Sequence, residues 1–180
     1  MSKFDFAVQY TLELEGVFSN HKADPGGKTK FGITEKLWNA YWADEFVDTP
    51  CPAIETITKA HAIAVYKDVF WDHLRLDRVS DVYVATEVFD SAVNVGPGDA
   101  VKFLQRAINY CRLPDWERIK EDGALGPITR GKVKELIDLH YRENLLIAMN
   151  GFQFIHYVEQ DNPYMSRGWT ERLKLAAQAA

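Results

Sequence analysis

The chain is poor in the residues that staple, coordinate or anchor a protein. Two cysteines in 180 residues, Cys51 and Cys111, are too few for a disulfide framework, and their spacing fits no zinc motif. The histidines His21, His61, His73, His140 and His156 are scattered, with no His-Glu-x-x-His pair, which argues against metal hydrolysis. We expect no metal site and no cofactor. No Gly-x-Ser-x-Gly is present for serine chemistry, and no phosphate loop for nucleotides. A formal net charge of -5 argues mildly against a nucleic-acid partner, since phosphate binding calls for a basic surface. No apolar run approaches membrane-spanning length, so stable membrane insertion is not expected. The N-terminus, Met-Ser-Lys-Phe-Asp-Phe, carries charge where an apolar h-region would stand. Synthesis in the cytoplasm without a signal peptide is the expectation.

What is present is helical. Hydrophobic residues make up 47% and aromatics 13%, which excludes disorder and leaves an ordinary globular chain. Apolar spacing predicts helices over Lys3 to Glu15, a short one after Thr34 as N-cap, then Ile54 to Trp71 and Val79 to Val93. Gly96-Pro97-Gly98 stops that helix, and Asp99 is expected to cap the next. There Ala100, Phe103, Leu104, Ala107, Ile108 and Cys111 step by three and four along one face. A long helix is expected near Ile128 to Asn150, a shorter one before Asp161, and a last one from Trp169 to Ala180. No strand pairs are evident. The predicted class is all-α.

The most informative stretch runs from Glu15 to Thr34. Glu13 and Glu15 compete for the role of an acid at the end of the first helix. At ~100° per residue, Glu15 shares a face with Phe4, Val8, Thr11 and Leu12, and Glu13 points the opposite way. A carboxyl held against apolar side chains resists ionisation and can donate a proton to a leaving oxygen. Asp24-Pro25-Gly26-Gly27 then forms a tight turn that returns a second carboxylate, and Thr29 adds a hydroxyl. Taken singly, Glu15 could be a structural ion-pair partner and Asp24 a turn cap. Together they have the makings of a glycosidase site, with Asp24 and Thr29 managing water.

These residues resemble a known family. Glu15-Gly16, Asp24-Pro-Gly-Gly27, Thr29 and Phe31-Gly-Ile-Thr34 are similar to the N-terminal signature of glycoside hydrolase family 108, muramidase-like proteins found among phage endolysins and bacterial cell-wall hydrolases. The resemblance continues through Phe89-Asp-Ser-Ala-Val-Asn-Val-Gly-Pro97 and Leu104-Gln-Arg-Ala107. It includes Asp122-Gly-Ala-Leu-Gly-Pro-Ile-Thr129, which resembles the turn of helical peptidoglycan-binding modules, and ends near Gly168-Trp169 and Arg172. Val17 stands where the family usually has a second glycine. The Glu15-to-Asp24 gap also resembles that of phage lysozymes, with Thr29 one position early.

The resemblance implies a lysozyme-like helical domain packed with a small C-terminal helical region: residues 1–95 catalytic, residues 96–180 peptidoglycan-binding-like. It implies cleavage of the β-1,4 bond between N-acetylmuramic acid and N-acetylglucosamine in the periplasm or cell wall. Glu15 would be the general acid, and Asp24 and Thr29 would manage water. Phe31 and Trp38 would meet sugar faces, as Phe18, Tyr41 and Trp42 also could, and Asp90 and Asn94 would meet sugar edges. The expected partners are peptidoglycan glycan strands, with a holin or secretion system for export, and the chain is expected to be a monomer. Two other readings stay open: a lytic transglycosylase using Glu15 alone, and a non-catalytic peptidoglycan-binding or secretion-assisting protein.

Overall fold

The computed structural model describes residues 1–14, 18–19, 28–46 and 49–160. Glu15, Asp24 and the helix expected over residues 169–180 lie outside them. The fold is mostly α, as its apolar periodicity requires. Seven helices are described: α1 (Lys3–Leu14), α2 (Glu35–Glu45), α3 (Lys59–Val65), α4 (Val82–Val95), α5 (Pro97–Cys111), α6 (Pro127–Asp138) and α7 (Arg142–Glu159). Three two-residue strands correct the expectation of none. They are β1 (Phe18–Ser19), β2 (Thr29–Lys30) and β3 (Ile33–Thr34), antiparallel in the order β1-β2-β3. Alternation is illegible in strands this short, so only their turn residues could have signalled them.

Helix α4 is the centre of the molecule. Every residue from Val84 to Ala92 is buried, and α1, α5 and α7 pack around it. Asp81 starts it by accepting bonds from the backbone N–H groups of Tyr83 and Val84 at 2.9 and 3.1 Å. The other Asp81 oxygen pairs with Arg142 at 2.7 Å. One buried carboxylate thus anchors the N-termini of both α4 and α7. Phe4, Trp71 and Phe89 meet edge to face with centroids 5.6 to 6.1 Å apart, a geometry favoured by their ring quadrupoles. The face of α5 predicted from spacing is buried throughout. Cys111 lies on it as a free thiol, and Cys51 is free and exposed.

Several expected boundaries move. Residues Ile54 to Trp71 do not form one helix. A short 3-10 turn, Ile54–Thr56, is followed by extended Ile57 and Thr58. Thr58 then opens α3 through a reciprocal capping box with His61, and α3 widens into a π-helical segment, Tyr66–Asp72. Asp99 does not cap α5. Gly96 ends α4, and Pro97 occupies the first position of α5, where its missing N–H costs nothing. Asp99 sits in the first turn and pairs with Lys102 at 3.0 Å.

The long helix expected over 128–150 is two helices. His140 adopts φ +63°, the Tyr141 N–H bonds the Leu136 carbonyl, and the His140 N–H bonds the Ile137 carbonyl. That is a Schellman stop with histidine where glycine usually sits.

Candidate active site

The site region is built on a hairpin that follows α1. Lys30 pairs with Ile33 across β2 and β3, so Phe31 and Gly32 form a two-residue turn. Both have positive φ, +51° and +75°, the signature of a type I′ hairpin, whose twist matches its strands. Glycine adopts that conformation freely, whereas an aromatic residue does so under strain. The Tyr66 hydroxyl, at the start of the π-helical segment, donates to the Phe31 carbonyl at 2.7 Å. A distant tyrosine thus holds the strained residue in place.

Thr29 lies in β2, paired with Ser19 of β1 and Thr34 of β3. Its neighbours Lys28 and Lys30 both reach Glu55, at the carboxylate (2.6 Å) and the carbonyl (2.5 Å). By strand alternation Thr29 faces the other side. The Lys28–Glu55 contact lowers the carboxyl pKa and raises the ammonium pKa, each chiefly through their shared hydrogen bond. Thr34 closes the hairpin and caps α2, accepting from the Leu37 N–H at 3.2 Å. This cap was legible from sequence.

The remaining predicted positions divide by burial. Phe31 is partly buried against the core, with the Lys30 ammonium 5.5 Å from its ring centroid. Trp38 is 1% exposed and donates its indole N–H to the Pro52 carbonyl at 2.8 Å. Tyr41, Trp42 and His61 pack on its ring, so no face is left for a sugar. Tyr41 and Trp42 are only partly buried. The Tyr41 hydroxyl donates to Asp68 at 2.8 Å, and burial, helped by that carboxylate, pushes its pKa up to about 12.

Asp90 is buried in α4 and accepts from the Thr11 hydroxyl at 3.0 Å, tying α4 to α1 one helical turn before Glu15 in the sequence. Asn94, one turn further along α4, accepts from the Tyr157 hydroxyl of α7 at 2.8 Å. Asp90 therefore faces α1 and Asn94 faces α7. Helical spacing puts Thr11 on the face of Glu15, and its bond to Asp90 emerges only in the fold. A lone polar residue on an apolar stripe was the available signal. Tyr66 gave none.

A second polar constellation surrounds the Asp122-Gly123 turn. Gln105, 1% exposed, donates to Asp122, the Ala124 carbonyl and Thr129, and accepts from the Gly123 N–H at 2.9 Å. In front of it lies a cavity of about 650 Å³, bordered by Trp116, Ile128 and Lys132 among others. The Lys132 ammonium sits 4.0 Å from the Trp116 ring centroid. Among the described residues no cluster of His, Cys, Asp or Glu could hold a metal, and no helix is long and apolar enough to cross a membrane.

The comparison with known families points to one class of protein, a glycosyl hydrolase. The glycosyl hydrolase 108 model matches residues 8–96, from α1 to the end of α4, and over this segment the chain is similar to that family. The whole chain also resembles a solved structure, Brucella abortus SagA, at 23% identity and a TM-score of 0.72, covering 98% of this chain and 92% of that one. At that identity the likeness is one of fold. No curated protein matches the sequence.

Proposed function

We propose that the protein is a peptidoglycan hydrolase of the N-acetylmuramidase type, cleaving the β-1,4 bond between N-acetylmuramic acid and N-acetylglucosamine. The observation that carries this reading is the family match across the stretch that holds Glu15, Asp24 and Thr29. Glu15 acts as general acid and protonates the leaving oxygen. Asp24 and Thr29 hold and activate the water that attacks the anomeric carbon, in a single inverting displacement.

The hairpin supports this by fixing Thr29 in a paired strand beside the strained Phe31, whose ring is the sugar-facing aromatic. Trp38, buried as it is, supports Tyr41 and Trp42 from beneath. Asp90 and Asn94 hold α1 and α7 against α4 and so fix the floor of the site. Residues 1–95 form the catalytic region in this scheme, and residues 96–180 form a peptidoglycan-binding-like region packed on it. The cell wall is the place of action, reached by a holin or a secretion system, and the chain works as a monomer.

The test is digestion of purified peptidoglycan by wild type and Glu15→Gln, with mass spectrometry of the released muropeptides. Reducing N-acetylmuramic acid ends, reduced at least about 100-fold in the variant, are expected for the loss of a general acid. Anhydro ends would instead mark a lytic transglycosylase and remove Asp24 from the mechanism. No Glu15-dependent product from folded protein would leave a binding module.

A further inference from the structure

Behind the Asp122-Gly123 turn lies a separate cavity of about 340 Å³. His73, Leu74 and Arg75 line it from one half of the chain, and Gly123, Leu125 and Arg130 from the other. Among the described residues no carboxylate lines it, although the chain as a whole carries a formal charge of -5. The Arg130 guanidinium donates once to the Leu125 carbonyl, which fixes its plane at the wall and leaves further N–H groups for a ligand. The Arg75 guanidinium has no hydrogen bond or ion pair among the described residues.

The backbone at Arg75 is left-handed, with φ +52° and ψ +49°. A turn there would be served better by glycine or asparagine. A long cationic side chain held under strain at a cavity mouth points to a function for that side chain.

We propose that this cavity is an anion subsite that takes a carboxylate of a peptidoglycan peptide stem. Guanidinium forks match carboxylates through paired N–H donors, and stem peptides carry carboxylates along the polymer. The proposal rests on the peptidoglycan reading above. The subsite is also linked mechanically to the hairpin. The helix that begins at Tyr66, bonded to Phe31, ends at the cavity wall, a span on the order of 10 Å. A stem held there fixes the polymer against both halves of the chain.

The test uses the full chain carrying Glu15→Gln, which blocks turnover, in co-sedimentation with peptidoglycan freed of phosphate polymers by hydrofluoric acid. A parallel sample has its carboxylates converted to amides with carbodiimide and ammonium. Adding Arg75→Gln is expected to weaken binding to the untreated carboxylate form by about three- to tenfold, the loss of one exposed charge-assisted contact. Amidation should weaken the parent to the same degree and leave the Arg75→Gln protein unchanged. Arg75→Asn suits the left-handed backbone and removes the guanidinium from a folded protein, so it should behave as Arg75→Gln does.

Binding unchanged in both variants, or lost equally on amidated polymer, overturns the proposal. A loss seen only on walls that keep their phosphate polymers reassigns the site to phosphate and also overturns it. Failure of the hydrolase reading is seen separately, as absence of Glu15-dependent products, and leaves the charge-dependent sedimentation standing.

Discussion

The turn at Phe31-Gly32 and the turn at Asp122-Gly123 both use left-handed residues, and they are secured in opposite ways. At Asp122-Gly123 the security is local and saturated. Asp122 accepts from the Ala124 N–H at 2.9 Å, and Gln105 holds both sides of the turn. Gly123 is also sterically required, because a Cβ there would lie 2.9 Å from the Gly98 carbonyl oxygen. At Phe31-Gly32 a side chain occupies a position glycine would prefer, and the bond to its carbonyl comes from Tyr66, 35 positions away. The Asp122-Gly123 turn joins two helices, whereas the Phe31-Gly32 turn holds strain next to Thr29 of the candidate site.

The contrast can be broken at several points. The largest effect on stability is expected from Gly123→Ala, which combines a left-handed alanine with a backbone clash, at about 3 kcal/mol in denaturant unfolding. Gln105→Ala should follow at about 2 kcal/mol, because it leaves buried donors and acceptors of the turn unpaired. Equal stability in either variant would mean that the turn is not locked by its own network. Tyr66→Phe should cost only about 1 kcal/mol yet reduce turnover by more than that loss of stability explains. Phe31→Gly should be neutral or stabilising by up to about 1 kcal/mol while lowering activity. Activity retained in Phe31→Gly would show the strain to be incidental.

The smallest effect is a pH dependence. Tyr41, raised to about 12 from its ordinary value of ~10, keeps its proton more tightly folded than unfolded. Its contribution is complete below pH ~10 and is lost as pH rises towards 12. Tyr41→Phe should therefore lose stability less steeply than wild type over that interval in alkaline thermal melts.

Sequence legibility followed how local the cause was. Thr34 was readable as a cap because its partner is three residues away, and the α5 face because six apolar residues repeat the helical period. Asp99 was misread because proline at the first helical position competes with an acidic cap and leaves no role for one. The break at His140 was invisible because the glycine that usually announces such a stop is absent. At the candidate site, Glu15 and Thr11 could be placed on one face by arithmetic. The Thr11–Asp90 and Tyr66–Phe31 bonds join residues 79 and 35 positions apart, and no local pattern encodes them. Trp38, Tyr41 and Trp42 have similar aromatic signatures, and packing alone decides which one is sealed inside.

The wide turn over Tyr66–Asp72 also bears on how the molecule can change by descent. A π-helical stretch holds more residues per turn than an α-helix and behaves as an insertion absorbed within a helix. Tyr66, Phe70 and Trp71 are all buried along it, so the extra length sets which side chains face the core. Removing one residue would restore regular winding, and the turns beyond it would keep roughly their present facing, because the wide turn already absorbs the extra residue. The change would fall on the segment itself, where Tyr66, Phe70 and Trp71 could no longer all face the core. The packing of this stretch is thus fixed by a residue count, and a one-residue gap among relatives here would mark a repacked core between two ends whose bearing is kept.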